Sequence, residues 1–85
     1  MDVTKEEFRL IWHLEHGNVR VEMLAHYLKI SESAVMHMLR KLEQEGWIEV
    51  AMTTDSAGKS EINYALPTER ARPLFEKHSA WAPEE

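Results

Sequence analysis

The chain of 85 residues contains no cysteine, which removes disulfide bridges, thiolate nucleophiles and cysteine-based zinc sites together and agrees with a reducing compartment. Glycine is scarce, with three residues at positions 17, 46 and 58. No glycine-rich phosphate loop can be built from them, and no serine lies in a nucleophile turn, so an enzyme is not expected. No apolar run approaches the ~20 residues that span a bilayer. Met1 to Lys5 also lacks the basic-then-apolar pattern of an export signal, so the expectation is a soluble cytoplasmic chain with no membrane partner. An excess of base is missing too: ten Lys and Arg stand against 15 Asp and Glu, for a net charge of −5. Composition therefore lacks the basic footprint of a nucleic-acid binder, and any anion-binding surface has to come from bases that converge in space.

What is present is patterned. At this length folding hides only roughly 60–65% of the unfolded surface, so the apolar residues must share one core. Thr4 offers a capping hydroxyl, Glu6 and Glu7 supply acids for a first turn, and Phe8, Ile11 and Trp12 follow at helical spacing as an inward stripe. Gly17-Asn18 ends this helix. Val21, Leu24, Ala25 and Leu28 predict a short second helix. Ser31 is positioned to cap a third, whose stripe is Val35, Leu39 and Leu42 and whose stop is Gly46.

Beyond Gly46 the period changes from 3.6 to 2. Ile48, Val50 and Met52 alternate with polar or small residues, as do Ile62, Tyr64 and Leu66, and Thr54 to Lys59 between them is turn chemistry. The two runs predict a hairpin. Thr68 is a candidate cap for a last helix bearing Leu74 and Phe75, with a kink or a start near Pro73. The expected domain is 1–80, and 81–85, which begins at Trp81, is expected to be a flexible tail.

The fold class is thus mainly α with a small β-hairpin: a three-helix core, a two-stranded wing and a short C-terminal helix, the order of a winged helix-turn-helix. The stretch from Met23-Leu24-Ala25 through Leu28, Ser31, Val35, Leu39 and Leu42 to Glu45-Gly46-Trp47-Ile48 resembles that family's pattern. The hairpin and Leu66-Pro67-Thr68-Glu69-Arg70 are similar to the wing and following helix of MarR-type regulators. The chain departs from them in three ways. The wing's aspartate and arginine are reduced to Asp55 and Lys59, the glycine usual after the wing is replaced around Ala71, and the long dimerising end helices do not appear.

The resemblance implies a small prokaryotic transcriptional regulator that binds double-stranded DNA, with its third helix in a major groove roughly 12 Å wide. With Val35, Leu39 and Leu42 inward, Ser33, Met36, His37, Arg40 and Lys41 turn toward solvent. Ser31 and Ser33 then suit phosphate or base hydrogen bonds, Met36 a thymine methyl, His37 a phosphate or base, and Arg40 the strongest contact. Lys59 at the hairpin tip reaches the neighbouring backbone or minor groove, while Arg20 and Lys29 add phosphate contacts. Glu32 counts against DNA unless it accepts from a cytosine amino group.

Because one module contacts few base pairs, a homodimer is expected, with Leu74, Phe75 and Trp81 as its candidate surface. The alternative is a winged helix that docks a protein partner through its acidic surface, Met36 and Trp81 and does not bind DNA. His13 and His16 are three apart on one helix, close enough to share a face, and with His26 on the next helix they suggest a metal. They lack the further donors of a ligand set, so no metal or cofactor is expected.

Overall fold

Thr4 and Glu7 cap each other at the start of the first helix: the Glu7 amide donates to Thr4 Oγ1 at 3.1 Å and the Thr4 amide to Glu7 Oε1 at 2.9 Å. A computed structural model describes residues 2–83. It runs α1 (Lys5–Glu15), α2 (Val21–Leu28), α3 (Glu32–Gln44), β1 (Ile48–Thr54), β2 (Ser60–Pro67) and α4 (Arg72–Lys77), with 3₁₀ turns at Glu69–Ala71 and Ser79–Trp81. The other oxygen of Glu7 takes a 2.6 Å bond from Lys41 Nζ on α3. One nearly buried carboxylate therefore both starts α1 and sets how α3 lies against it.

The core collects Phe8, Leu10, Ile11 and Leu14 from α1, Leu24 and Ala25 from α2, and Val35, Leu39 and Leu42 from α3. The hairpin and C-terminal segment close it with Trp47, Ile48, Ala65, Ala71 and Leu74. Each large side chain fully hidden here contributes about 1.5–3 kcal/mol. Leu10 takes the inward position expected for Trp12, which is only half-buried and stacks on His16 at 3.8 Å. His13 is buried, stacked on Tyr27 at 4.8 Å. Burial, and then the nearby charges of His16 and Arg9, hold it below the ordinary histidine value.

Gly46 ends α3 at φ 84°, a left-handed conformation that favours glycine, and Trp47 N–H closes the turn on Leu42 O at 2.9 Å. The Thr68 hydroxyl, a candidate helix cap, donates instead to the Gly46 carbonyl at 2.6 Å and ties the end of β2 to this turn. Strands β1 and β2 pair antiparallel, with Val50 opposite Ala65, Ala51 opposite Tyr64 and Met52 opposite Ile62. Asn63 has no partner in that register and forms a bulge. The extra residue reverses the expected alternation: Ile62 and Ala65 face inward, while Tyr64 and Leu66 are exposed on the outer face.

Pro73 falls in the first turn of α4, where its missing N–H leaves no helical bond unmade. Trp81 belongs to the folded body rather than to a tail. Its ring lies 6.2 Å from Phe8 and stacks on His78 at 3.9 Å, and its carbonyl accepts from Arg9 Nε at 3.0 Å. Ala82 also packs on the core, whereas Glu84 and Glu85 of the expected tail lie outside the described residues. Leu74 is in the core and unavailable to a partner, and Phe75 packs on Phe8 at 6.0 Å.

Burial alone pushes the Glu7 carboxyl upward, but the bonds from Lys41 and Thr4 outweigh it and leave the group below its ordinary value. A carboxylate lowered on folding adds stability above its unfolded value of about 4.3, and that stability is lost as pH falls through the folded value. Glu7→Gln is therefore expected to lower the urea midpoint at neutral pH, with the gap to the parent closing below about pH 4. A gap that persists undiminished at about pH 3 would show that the charge of Glu7 is not what stabilises the helix pair.

Candidate functional site

Since Val35, Leu39 and Leu42 are fully buried, the opposite side of α3 is presented outward at positions 32, 33, 36, 37 and 40. Facing it is the hairpin tip. The two enclose an open groove of about 520 Å³, lined by Glu32, Ser33, Met36, His37 and Arg40 on α3 and by Gly58, Lys59 and Ser60 on the hairpin, with Val21 at its end. The tip is held by Asp55, whose Oδ1 accepts from the amides of Ala57 at 3.0 Å and Lys59 at 2.9 Å. Gly58 supplies the positive φ of 83° that this turn needs. The Lys59 backbone is thus fixed while its ammonium points free of any ion pair among the described residues.

The expected contact residues divide accordingly. Ser33, Met36, His37, Arg40 and Lys59 meet in the groove. Ser31 does not line it; its hydroxyl oxygen caps α3 by accepting from the Ala34 amide at 3.1 Å. Lys41 turns to α1 and is held by Glu7. Arg20 lies in an adjoining recess of about 320 Å³, where it bonds Glu22 Oε1 through Nε at 3.0 Å and a terminal nitrogen at 2.6 Å. The Arg20 bond, aided by the field of Lys59, keeps the Glu22 carboxyl below its ordinary value. Lys29 stands apart in the turn between α2 and α3.

Ser60 and Gly58 line the groove but are not among the expected contacts. Nothing in their local pattern distinguishes them from ordinary turn residues, and only the folding of the tip over α3 brings them into the groove. The Arg20–Glu22 pair is not among the expected contacts, although a spacing of two residues across a helix start is a readable signal for it. Arg70 is a further fixing element. Its guanidinium sits 4.3 Å over the Trp47 ring and donates to the Glu45 carbonyl, joining the end of α3 to the segment after the wing.

Residues 1–54 match the model of the iron-dependent repressor N-terminal DNA-binding domain family. The chain belongs to that family. It is a family of DNA-binding transcriptional regulators, and the fold is the winged helix shared with MarR-family regulators. The zinc-dependent MarR family regulator AdcR in its Zn(II)-bound state superposes with a TM-score of 0.70 at 25% identity, covering 94% of this chain and 53% of that one. The MarR family protein Rv2887 of Mycobacterium tuberculosis, in complex with p-aminosalicylic acid, gives 0.67 at 28% identity over 93% of this chain and 58% of that one. ZitR of Lactococcus lactis in complex with DNA gives 0.68 at 24% identity over 94% and 53%, a likeness of fold. The chain spans little more than half the length of these structures. No curated protein sequence matches it.

The family's name carries a metal, and the donors among the described residues do not fit one. Among the described residues no three His, Asp or Glu side chains converge as a ligand set. His13 Nδ1 faces the Asn18 amide at 3.3 Å, and His16 Nδ1 donates to the Trp12 carbonyl at 2.9 Å. No helix among the described residues is long and apolar enough to cross a membrane.

Lys29 is the one non-glycine residue at positive φ among the described residues, at 58°. It fills the left-handed position that closes α2, where Ile30 N–H reaches back to Ala25 O at 3.1 Å. Glycine fits that conformation without a Cβ penalty. Lys29→Gly is expected to stabilise the protein by about 0.5–1 kcal/mol in urea unfolding. A lowered midpoint would show that the lysine side chain holds the turn.

Proposed function

We propose that this protein is a sequence-specific regulator of transcription that binds double-stranded DNA in the cytoplasm, with α3 in the major groove and the hairpin tip on the adjacent backbone or minor groove. The observation that carries the reading is the pairing of Arg40 and Lys59 across one open groove, both free of ion pairs among the described residues, in a chain whose other bases are mostly engaged. A 13-residue helix clamped along one side suits insertion into a groove roughly 12 Å wide. Arg40 serves a guanine edge or a phosphate, His37 and Ser33 donate to neighbouring acceptors, and Met36 meets a thymine methyl. Lys59 follows the backbone, and Lys29 adds a phosphate contact that positions without specifying. Arg20 contributes once Glu22 releases it, and Lys41 is the weakest candidate because Glu7 holds it.

ZitR, similar in fold, is known in complex with DNA, which agrees with this reading. Two copies on a two-fold site would supply the specificity one module lacks. Phe75 and Trp81, half-buried beside Phe8, are the surface proposed for that contact. Light scattering at micromolar concentration is expected to return twice the chain mass, and a monomer would remove the dimer.

Fluorescence anisotropy with random-sequence duplex at two salt concentrations tests DNA binding. Affinity is expected to fall steeply with salt, and Arg40→Ala and Lys59→Ala are each expected to weaken binding and flatten the log–log salt slope by about 0.9 where the lost contact is to phosphate. No binding at low salt would overturn the DNA reading and favour the docking of a protein on the acidic surface.

A further inference from the structure

The groove residue that does most to oppose DNA binding, judged by charge, is an acid: Glu32 lines the groove beside Ser33 and one turn from Met36. Beyond the helix dipole that any first-turn acid meets, the hydrogen-bonding role at this helix start is already filled. Ser31 provides the cap that accepts the Ala34 amide, and among the described residues Glu32 takes part in no ion pair and no side-chain hydrogen bond. A carboxylate in that place repels phosphate, yet it is an acceptor-only group facing the same space as Arg40, a donor-only group.

Resting on the DNA-binding reading above, we propose that Glu32 is a specificity-determining residue that reads a cytosine by accepting from its N4 amino group. Glu32, Met36 and Arg40 lie at intervals of four residues along one side of α3. At ~1.5 Å rise per residue each step is about 6 Å, close to two base-pair rises of ~3.4 Å. The groove thus offers DNA an ordered row of acceptor, apolar and donor chemistry. In the major groove only cytosine N4 and adenine N6 present amino donors, and adenine sets the N7 acceptor beside its N6, where it repels a carboxylate. Cytosine remains. Thymine in its place turns O4, another acceptor, toward Glu32, so the acid both selects its base and penalises the alternatives.

Selection from a randomised duplex library, followed by anisotropy on duplexes with single base-pair changes, tests this with the parent, Glu32→Gln and Glu32→Ala. Circular dichroism checks that each variant is folded. The parent is expected to show a cytosine position at which replacement by thymine weakens binding about fivefold to a hundredfold. In Glu32→Gln that preference moves toward adenine, whose N6 and N7 suit a carboxamide, and in Glu32→Ala it disappears. Affinity of both variants for random duplex is expected to rise severalfold, since one repulsive charge is gone. The same base preference in parent and variants would overturn the role of Glu32 while leaving DNA binding intact. Failure of the parent to bind any duplex at low salt would overturn the DNA reading itself, and the proposal with it.

Discussion

The burial of Val35, Leu39 and Leu42 along one side of α3 is the constraint from which the rest of the molecule follows. All three are fully hidden, so α3 cannot roll without exposing apolar surface worth several kcal/mol in total. The bond from Lys41 to Glu7 adds a polar stop to the same rotation. Because Glu7 also closes the capping box of α1, the position of the outward row on α3 is tied to the first turn of the chain. Glu32, Met36 and Arg40 face the groove because their neighbours have nowhere else to go.

The net charge of −5 and two unpaired bases in the groove are compatible because the charges have different employments. Arg72 pairs with Glu15, Lys77 with Asp2, Arg20 with Glu22 and Lys41 with Glu7, while Arg9 and Arg70 donate to main-chain carbonyls. Most of these pairs are exposed and hold geometry rather than adding much stability. What they do is take acids and bases out of circulation together. Arg40 and Lys59 stay free where α3 and the hairpin meet, outnumbering the free Glu32 beside them, so the local balance of charge differs from that suggested by the total.

The hairpin needs its own fixings, since a two-stranded ribbon is marginal alone. Its tip is organised by Asp55 accepting two amides, and its base is anchored by Thr68 to the Gly46 carbonyl and by Arg70 over Trp47. The Asn63 bulge lets Ile62 and Ala65 both meet the core from one strand. Fixed at base and tip, the ribbon can carry Lys59 over α3.

Local pattern determined the helices and their ends. A capping hydroxyl at Thr4 and Ser31, the stops at Gly17 and Gly46, the stripe on α3 and the start of α4 near Pro73 all rest on contacts within one turn of the chain. The hairpin was legible as a change of period, and with it the winged-helix order and the groove residues Ser33, Met36, His37, Arg40 and Lys59. Tertiary structure alone decided the rest. That Tyr64 and Leu66 face out depends on how Asn63 is accommodated against β1, that Lys41 is bound depends on a carboxylate 34 residues away, and that Trp81 folds back depends on Phe8 and Arg9. The absence of basic excess likewise told only the sum of the charges. Where they cancel and where they do not is set by long-range pairing, because the Coulomb interaction depends on distance in space rather than separation along the chain.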